Sequence, residues 1–128
     1  MSKVLVDTGP IIQALRQHKP TVQLLRGLAS RDHIVISIIT RLEIYAGMQN
    51  EERYATQKFL SRFIAYDLNR SIAERAGTLI ATYHRIGYTL GVSDAIIAAT
   101  AINYQIPLLT FNTKDFSFIS GLTLYPLP

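Results

Sequence analysis

Apolar positions along this chain follow two periods, and the alternation between them predicts the fold. Short runs rich in β-branched and leucine residues stand at Lys3–Val6 and His33–Ser37, with further candidates at 65–68, 108–111 and 122–125. The clearest of these runs are apolar throughout rather than alternating, which suits strands covered on both faces, as in a parallel sheet. Between them the spacing turns helical. The segment 71–86 is the clearest case, with Ile72, Ala76, Leu79, Ile80 and Tyr83 on one face of a 3.6-residue period. Further helices are expected over 11–17, 20–29, 40–49, 53–64 and 94–104. Pro10 suits a first helical position. Thr40 and Ser93 suit N-caps, and Gly87 a stop. Strands alternating with helices imply an α/β fold: a mostly parallel central sheet of about four or five strands, flanked by helices.

Composition narrows this further. A chain of 128 residues, 48% of them apolar, is expected to form one domain over 1–128 with a real core. At 17% charged residues it is not a disordered chain. The absence of cysteine excludes disulfides, thiolate catalysis and cysteine-ligated zinc. A net charge of +4 permits a polyanionic partner. Asp7 breaks the apolar start of the chain, which therefore lacks the make-up of a signal peptide, and the run at 95–99 is far too short to span a membrane. A soluble, cytoplasmic protein is expected, with no membrane partner.

The acids fall where an α/β sheet places its ligands, outside the carboxyl ends of the strands. Asp7 ends the first strand, and Asn112 and Asp115 follow the fourth. Asp94 opens the helix that leads into that fourth strand, and Glu43 lies on the helix after the second. Each also has an ordinary reading. Asp7 fits an Asx-turn or a cap at DTGP, and Asp94 fits the first turn of a helix. Glu43 fits a solvated helix face, and Asn112 and Asp115 fit a turn. Together, however, several converging carboxylates repel one another, and a divalent cation resolves that repulsion. All-oxygen ligands favour Mg²⁺ or Mn²⁺ over zinc, and phosphodiester hydrolysis is the natural chemistry.

Four blocks in order, LVDTGPII, SIITRLEIYAG, GVSDAIIAATA and LLTFNTKDF, cover nearly the whole chain. In these blocks the chain resembles the PIN-domain ribonucleases, and in particular the VapC-type toxins of toxin–antitoxin pairs. The resemblance implies a metal-dependent endoribonuclease using Mg²⁺ (or Mn²⁺), with Asp7, Glu43 and Asp94 as catalytic and metal-binding acids. It implies attack of activated water on RNA, leaving a 5′-phosphate and a 3′-hydroxyl. Where the family pattern often has a fourth acid this chain has Asn112, so Asp115, three residues on, is the candidate for that charge. Thr8, Thr40, Ser93, Thr110 and Asn112 are candidates for orienting the carboxylates. The partners implied are an RNA substrate and a cognate VapB-type antitoxin, in a homodimer or a toxin–antitoxin hetero-oligomer.

Arg41 and Lys114 lie within three residues of proposed site residues and are the candidate phosphate contacts. His18, His33 and His84 have no metal-ligand spacing, and no Gly-rich phosphate loop occurs. Most aromatic residues fall on apolar faces and suit the core. The helices over 20–29 and 53–64 could grip an apolar antitoxin tail or simply fill the core. Three alternatives remain. A phosphatase with a nucleophilic Asp needs a second acid where Gly9 stands. A receiver-like phospho-Asp signalling domain needs paired acids after the first strand, where there is one. A PIN-like module that binds RNA or protein through a weakened metal site fits Asn112.

Overall fold

The computed structural model describes residues 2–128. Four strands, β1 (Lys3–Val6), β2 (His33–Ser37), β3 (Ile64–Tyr66) and β4 (Leu108–Leu109), form one parallel sheet in the order β3-β2-β1-β4. Among the described residues six α-helices connect and cover it: α1 (Thr8–Leu15), α2 (Lys19–Ala29), α3 (Ile38–Gly47), α4 (Arg53–Leu60), α5 (Arg70–His84) and α6 (Val92–Tyr104).

The pleat sorts each strand between two cores. Val4, Val6, Ile34, Ile36 and Leu109 pack with Ile11, Ala14, Leu25, Leu28, Ile44 and Leu60 from α1 to α4. Leu5, Val35 and Leu108 point the other way, against Ile72, Ala76 and Tyr83 of α5 and the buried face of α6. This is why the strands read as continuous apolar runs: both faces are covered. In α6 every residue from Ala95 to Ala101 is buried, so the helix has no polar stripe.

Several boundaries differ from the sequence expectation, each for a local reason. The first helix starts at Thr8 instead of residue 11, because the Asp7 carboxylate caps it by accepting the Thr8 N–H at 2.8 Å. Pro10 then sits in the first turn, where a missing N–H costs nothing. The third helix starts at Ile38, not at 40. Ser37 is its cap, accepting the Ile39 N–H at 3.1 Å, and Thr40 is buried inside the first turn instead of capping. The last helix starts at Val92 with Gly91 at the N-cap position, so Ser93 lies within the helix and does not cap it. The fourth helix stops at Leu60, which frees Ile64 to begin β3. The strand expected over 122–125 reduces to one bridge, Leu108 to Leu124.

The topology makes the cleft. From β1 the chain moves to β2 and β3 on one side, then crosses to β4 on the other. The carboxyl ends of β1 and β4 therefore flank the point where strand order reverses, the usual place for a ligand in an open α/β sheet. The register sets Leu5 beside Leu108 and Val6 beside Leu109, and the Asp7 N–H donates to the Leu109 carbonyl at 2.9 Å. One step further, Asp7 meets Thr110.

Candidate active site

Asp7 is 4% exposed and is held from two sides. Its Oδ1 accepts from the Thr8 N–H, and its Oδ2 accepts from the Thr110 hydroxyl at 2.8 Å. The Thr110 oxygen in turn accepts the Asn112 N–H at 3.0 Å. Thr110 thus links the first acid to the turn that carries Asn112 and Asp115, 103 residues away in sequence. The Asn112 backbone takes part in this link, and the residue itself is exposed.

Glu43 is half-buried on α3, where its Oε1 accepts the Thr8 hydroxyl at 2.7 Å. The Thr8 and Thr40 hydroxyls lie 2.8 Å apart. Thr8 has a single hydroxyl proton and gives it to Glu43, so Thr40 is the donor in the second bond. The chain runs Thr40 to Thr8 to Glu43 and gives α1 and α3 a fixed relative placement through groups that are buried or nearly so. No buried side-chain polar atom among the described residues is left without a partner.

Asp94 stands half-buried in the first turn of α6. A helix N-terminus favours a negative charge there. Burial outweighs that preference, and together with the charges of Asp7, Asp115 and Glu43 it pushes the carboxyl up to about 6. The Asp7 carboxyl is also raised, first by burial. The Thr110 and Thr8 hydrogen bonds pull it back, and Glu43 and Asp115 push it up again. Asp115 itself is exposed, within electrostatic reach of both aspartates.

The four acids therefore share one electrostatic neighbourhood. Yet among the described residues no three acidic or histidine side chains are close enough, as they stand, to hold one ion between them. Ser93, half-buried beside Asp94 in sequence, forms no hydrogen bond to a carboxylate among the described residues. Arg41 is half-buried and Lys114 exposed. The Thr110–Asp7 bond and the direction of the Thr40–Thr8–Glu43 chain depend on sheet register, which spacing along the chain does not reveal.

Thr110→Val tests the clamp, because valine matches threonine in shape and removes the hydroxyl. The variant is expected to lose about 1–3 kcal/mol of stability in chemical denaturation, since Asp7 Oδ2 and the Asn112 N–H both lose a partner. The Asp7 carboxyl should titrate higher still, as it loses a bond that lowers it. An unchanged denaturation midpoint would show that the clamp contributes nothing.

An apolar concavity lies elsewhere, on the flank formed by α2 and α4. It is a groove of about 650 Å³ lined by Val22, Leu25, Ala29, Phe59, Phe63 and neighbouring residues, with Arg26, Lys58 and Arg62 among its polar positions.

The chain matches the sequence model of the PIN domain family over residues 4–121. It is 30% identical to Ribonuclease VapC19 of Mycobacterium tuberculosis over 92% of this chain and 95% of that protein. It is 29% identical to Ribonuclease VapC10 of the same organism, over 93% of this chain and 90% of the relative. Among solved structures it resembles the VapBC2 complex of Rickettsia felis bound to a DNA fragment from its promoter, with a TM-score of 0.85 and 27% identity, covering 96% of this chain and 97% of that one.

Proposed function

The chain belongs to the PIN domain family, in its VapC group, and on that premise we propose that it is a divalent-metal-dependent endoribonuclease and the toxin of a toxin–antitoxin pair. The observation that supports this most is that Asp7, Glu43, Asp94 and Asp115, from four separate segments, lie within electrostatic reach of one another and raise the Asp7 and Asp94 carboxyls.

The donor set fits Mg²⁺ or Mn²⁺. Every candidate ligand is a hard carboxylate oxygen, and no sulfur or imidazole contributes. Mg²⁺ typically takes only one or two protein carboxylates and keeps several waters, so a set too spread to share three ligands still suits it. Asp7 and Asp94 would hold the ion, with Glu43 beside them. When bound, the ion supplies positive charge that acidifies a nearby water and offsets charge building on the scissile phosphate.

The chain's own residues do the positioning. Thr8 and Thr110 fix the Asp7 carboxylate in one rotamer, leaving its remaining lone pairs free. The Thr40–Thr8 pair holds the Glu43 carboxylate, which with Asp7 and Asp94 would position the ion and the attacking water. Asn112 keeps an acceptor oxygen without a charge, so Asp115 is the source of the fourth negative charge. Arg41 and Lys114 are the proposed contacts to flanking phosphates.

The proposed partner is an antitoxin whose apolar tail occupies the groove between α2 and α4, where Arg26, Lys58 and Arg62 would face its acidic positions.

The cut ends test the chemistry. Hydrolysis by activated water leaves a 5′-phosphate and a 3′-hydroxyl, and end-mapping of metal-dependent cleavage should find them. Cyclic 2′,3′-phosphate ends would reject this mechanism in favour of attack by the ribose hydroxyl.

A further inference from the structure

Asp7 and Glu43 are held by side-chain hydrogen bonds. Among the described residues the Asp94 and Asp115 carboxylates have none, so the backbone that carries them sets their positions. Asp94 stands in the first turn of α6, just after the irregular turn that follows α5, and Asp115 closes a single 3₁₀ turn, Thr113–Asp115. The two charges repel, so their separation depends on how the turn before α6 and the segment after β4 are held together.

We propose that Tyr83 is a positioning residue of the acidic site, tying the segment that leads to Asp94 to the segment that carries Asp115. The proposal rests on the nuclease reading above. Tyr83 lies near the end of α5 and is 8% exposed. Its carbonyl accepts the Tyr88 N–H at 2.9 Å, closing the turn in which Gly87 takes a φ of 95°. That turn runs through Leu90 and Gly91 directly into the first turn of α6.

The other end of the same residue reaches the second segment. The Tyr83 hydroxyl oxygen accepts the Ser120 N–H at 2.7 Å. Its ring meets Phe118 edge-on at 5.1 Å, and Tyr88 stacks flat on Phe118 at 4.1 Å with an 8° interplanar angle. Phe116 and Ile119 anchor the same segment in the core at 1% and 4% exposure. One tyrosine therefore touches the turn that leads into α6 by its backbone and ring, and the segment that follows Asp115 by its ring and hydroxyl. Neither contact involves a carboxylate, so Tyr83 acts through the segments it joins.

Tyr83→Phe removes the hydroxyl and keeps the ring. Half-saturating Mn²⁺, measured by calorimetry on the purified protein, is expected to rise about tenfold. The kcat for RNA cleavage should fall with KM unchanged, and the melting temperature should change little. In an Asp115→Asn background the substitution should add no further loss. Tyr88→Leu, at a 44% exposed ring, should shift Mn²⁺ binding in the same direction, and it carries the test should Tyr83→Phe fold poorly. Wild-type Mn²⁺ binding and kcat in both variants, or full additivity with Asp115→Asn, would overturn the positioning role alone. A wild-type protein that neither binds Mn²⁺ nor cuts RNA would overturn the nuclease reading and this proposal with it.

Discussion

Asp94→Asn is expected to yield a protein that is more stable than the wild type and about 10²- to 10³-fold less active. The activity loss follows from removing a charged oxygen at the centre of the cluster, where electrostatic groups are worth that much. The stability gain follows from the raised pKa. The folded protein holds the Asp94 proton to about pH 6, against an ordinary value of 3.8 for the unfolded chain. Stability is therefore complete below the unfolded value and is lost as pH rises through about 6. Asparagine does not titrate and escapes that loss. With solvent screening of a half-buried group allowed for, the gain at pH 7.5 is on the order of 1 kcal/mol, or about 3–5 °C in melting temperature. Thermal melts in EDTA at pH 4 and pH 7.5 check it. The difference should be present at the higher pH, vanish at the lower, and shrink when Mg²⁺ is added, because an ion that binds only the folded wild type stabilises it. A variant less stable than wild type at pH 7.5 would show that Asp94 holds the fold together instead of straining it.

Ala55→Arg is expected to separate the two halves of the proposed function. Ala55 lines the groove from an exposed position on α4, so a long charged side chain there fills the groove without emptying the core. Arginine is a good helix former, and the helix should persist. Placed at the centre of an apolar interface, the change should weaken binding of the antitoxin at least about 100-fold, a loss typical of a blocked hot spot. RNA cleavage by the free protein should be unchanged, because the groove lies apart from the acids. Titration calorimetry with the cognate antitoxin and a parallel cleavage assay give the two readouts. Undiminished binding would move the antitoxin to another surface. Lost cleavage in a folded variant would mean that the groove belongs to the catalytic site.

The sequence shows the alternation of strands and helices and the candidate acids, Asp7 just past β1 and Glu43, Asp94 and Asp115 on other segments. β1 and β2 stand at their expected residues because their apolar runs are unbroken. Helices α1 and α3 start earlier than their apolar spacing suggests, because each capping group is also a site residue or a strand end. Asp7 ends β1 and caps α1; Ser37 ends β2 and caps α3. A residue with two roles gives a linear reading only one signal. The strand expected over 122–125 failed because its residues pair at a single bridge. Thr8, Thr40 and Thr110 stand out in the sequence as candidates, but the partners and directions of their hydroxyls depend on sheet register, as the pairing of Val6 with Leu109 shows. Tyr83 carried no chemical signal at all. It sits on an apolar helix face like any core residue, and only the three-dimensional meeting with Ser120 and Phe118 distinguishes it.

The most direct measurement is RNA cleavage by the purified protein, freed of any partner, with total RNA and Mg²⁺ or Mn²⁺. EDTA and Asp94→Asn serve as controls. A metal-dependent ribonuclease built on these acids should cut in the presence of the ion and lose that activity in both controls. Cleavage that survives EDTA and persists in Asp94→Asn would place the chemistry elsewhere and contradict the proposed function.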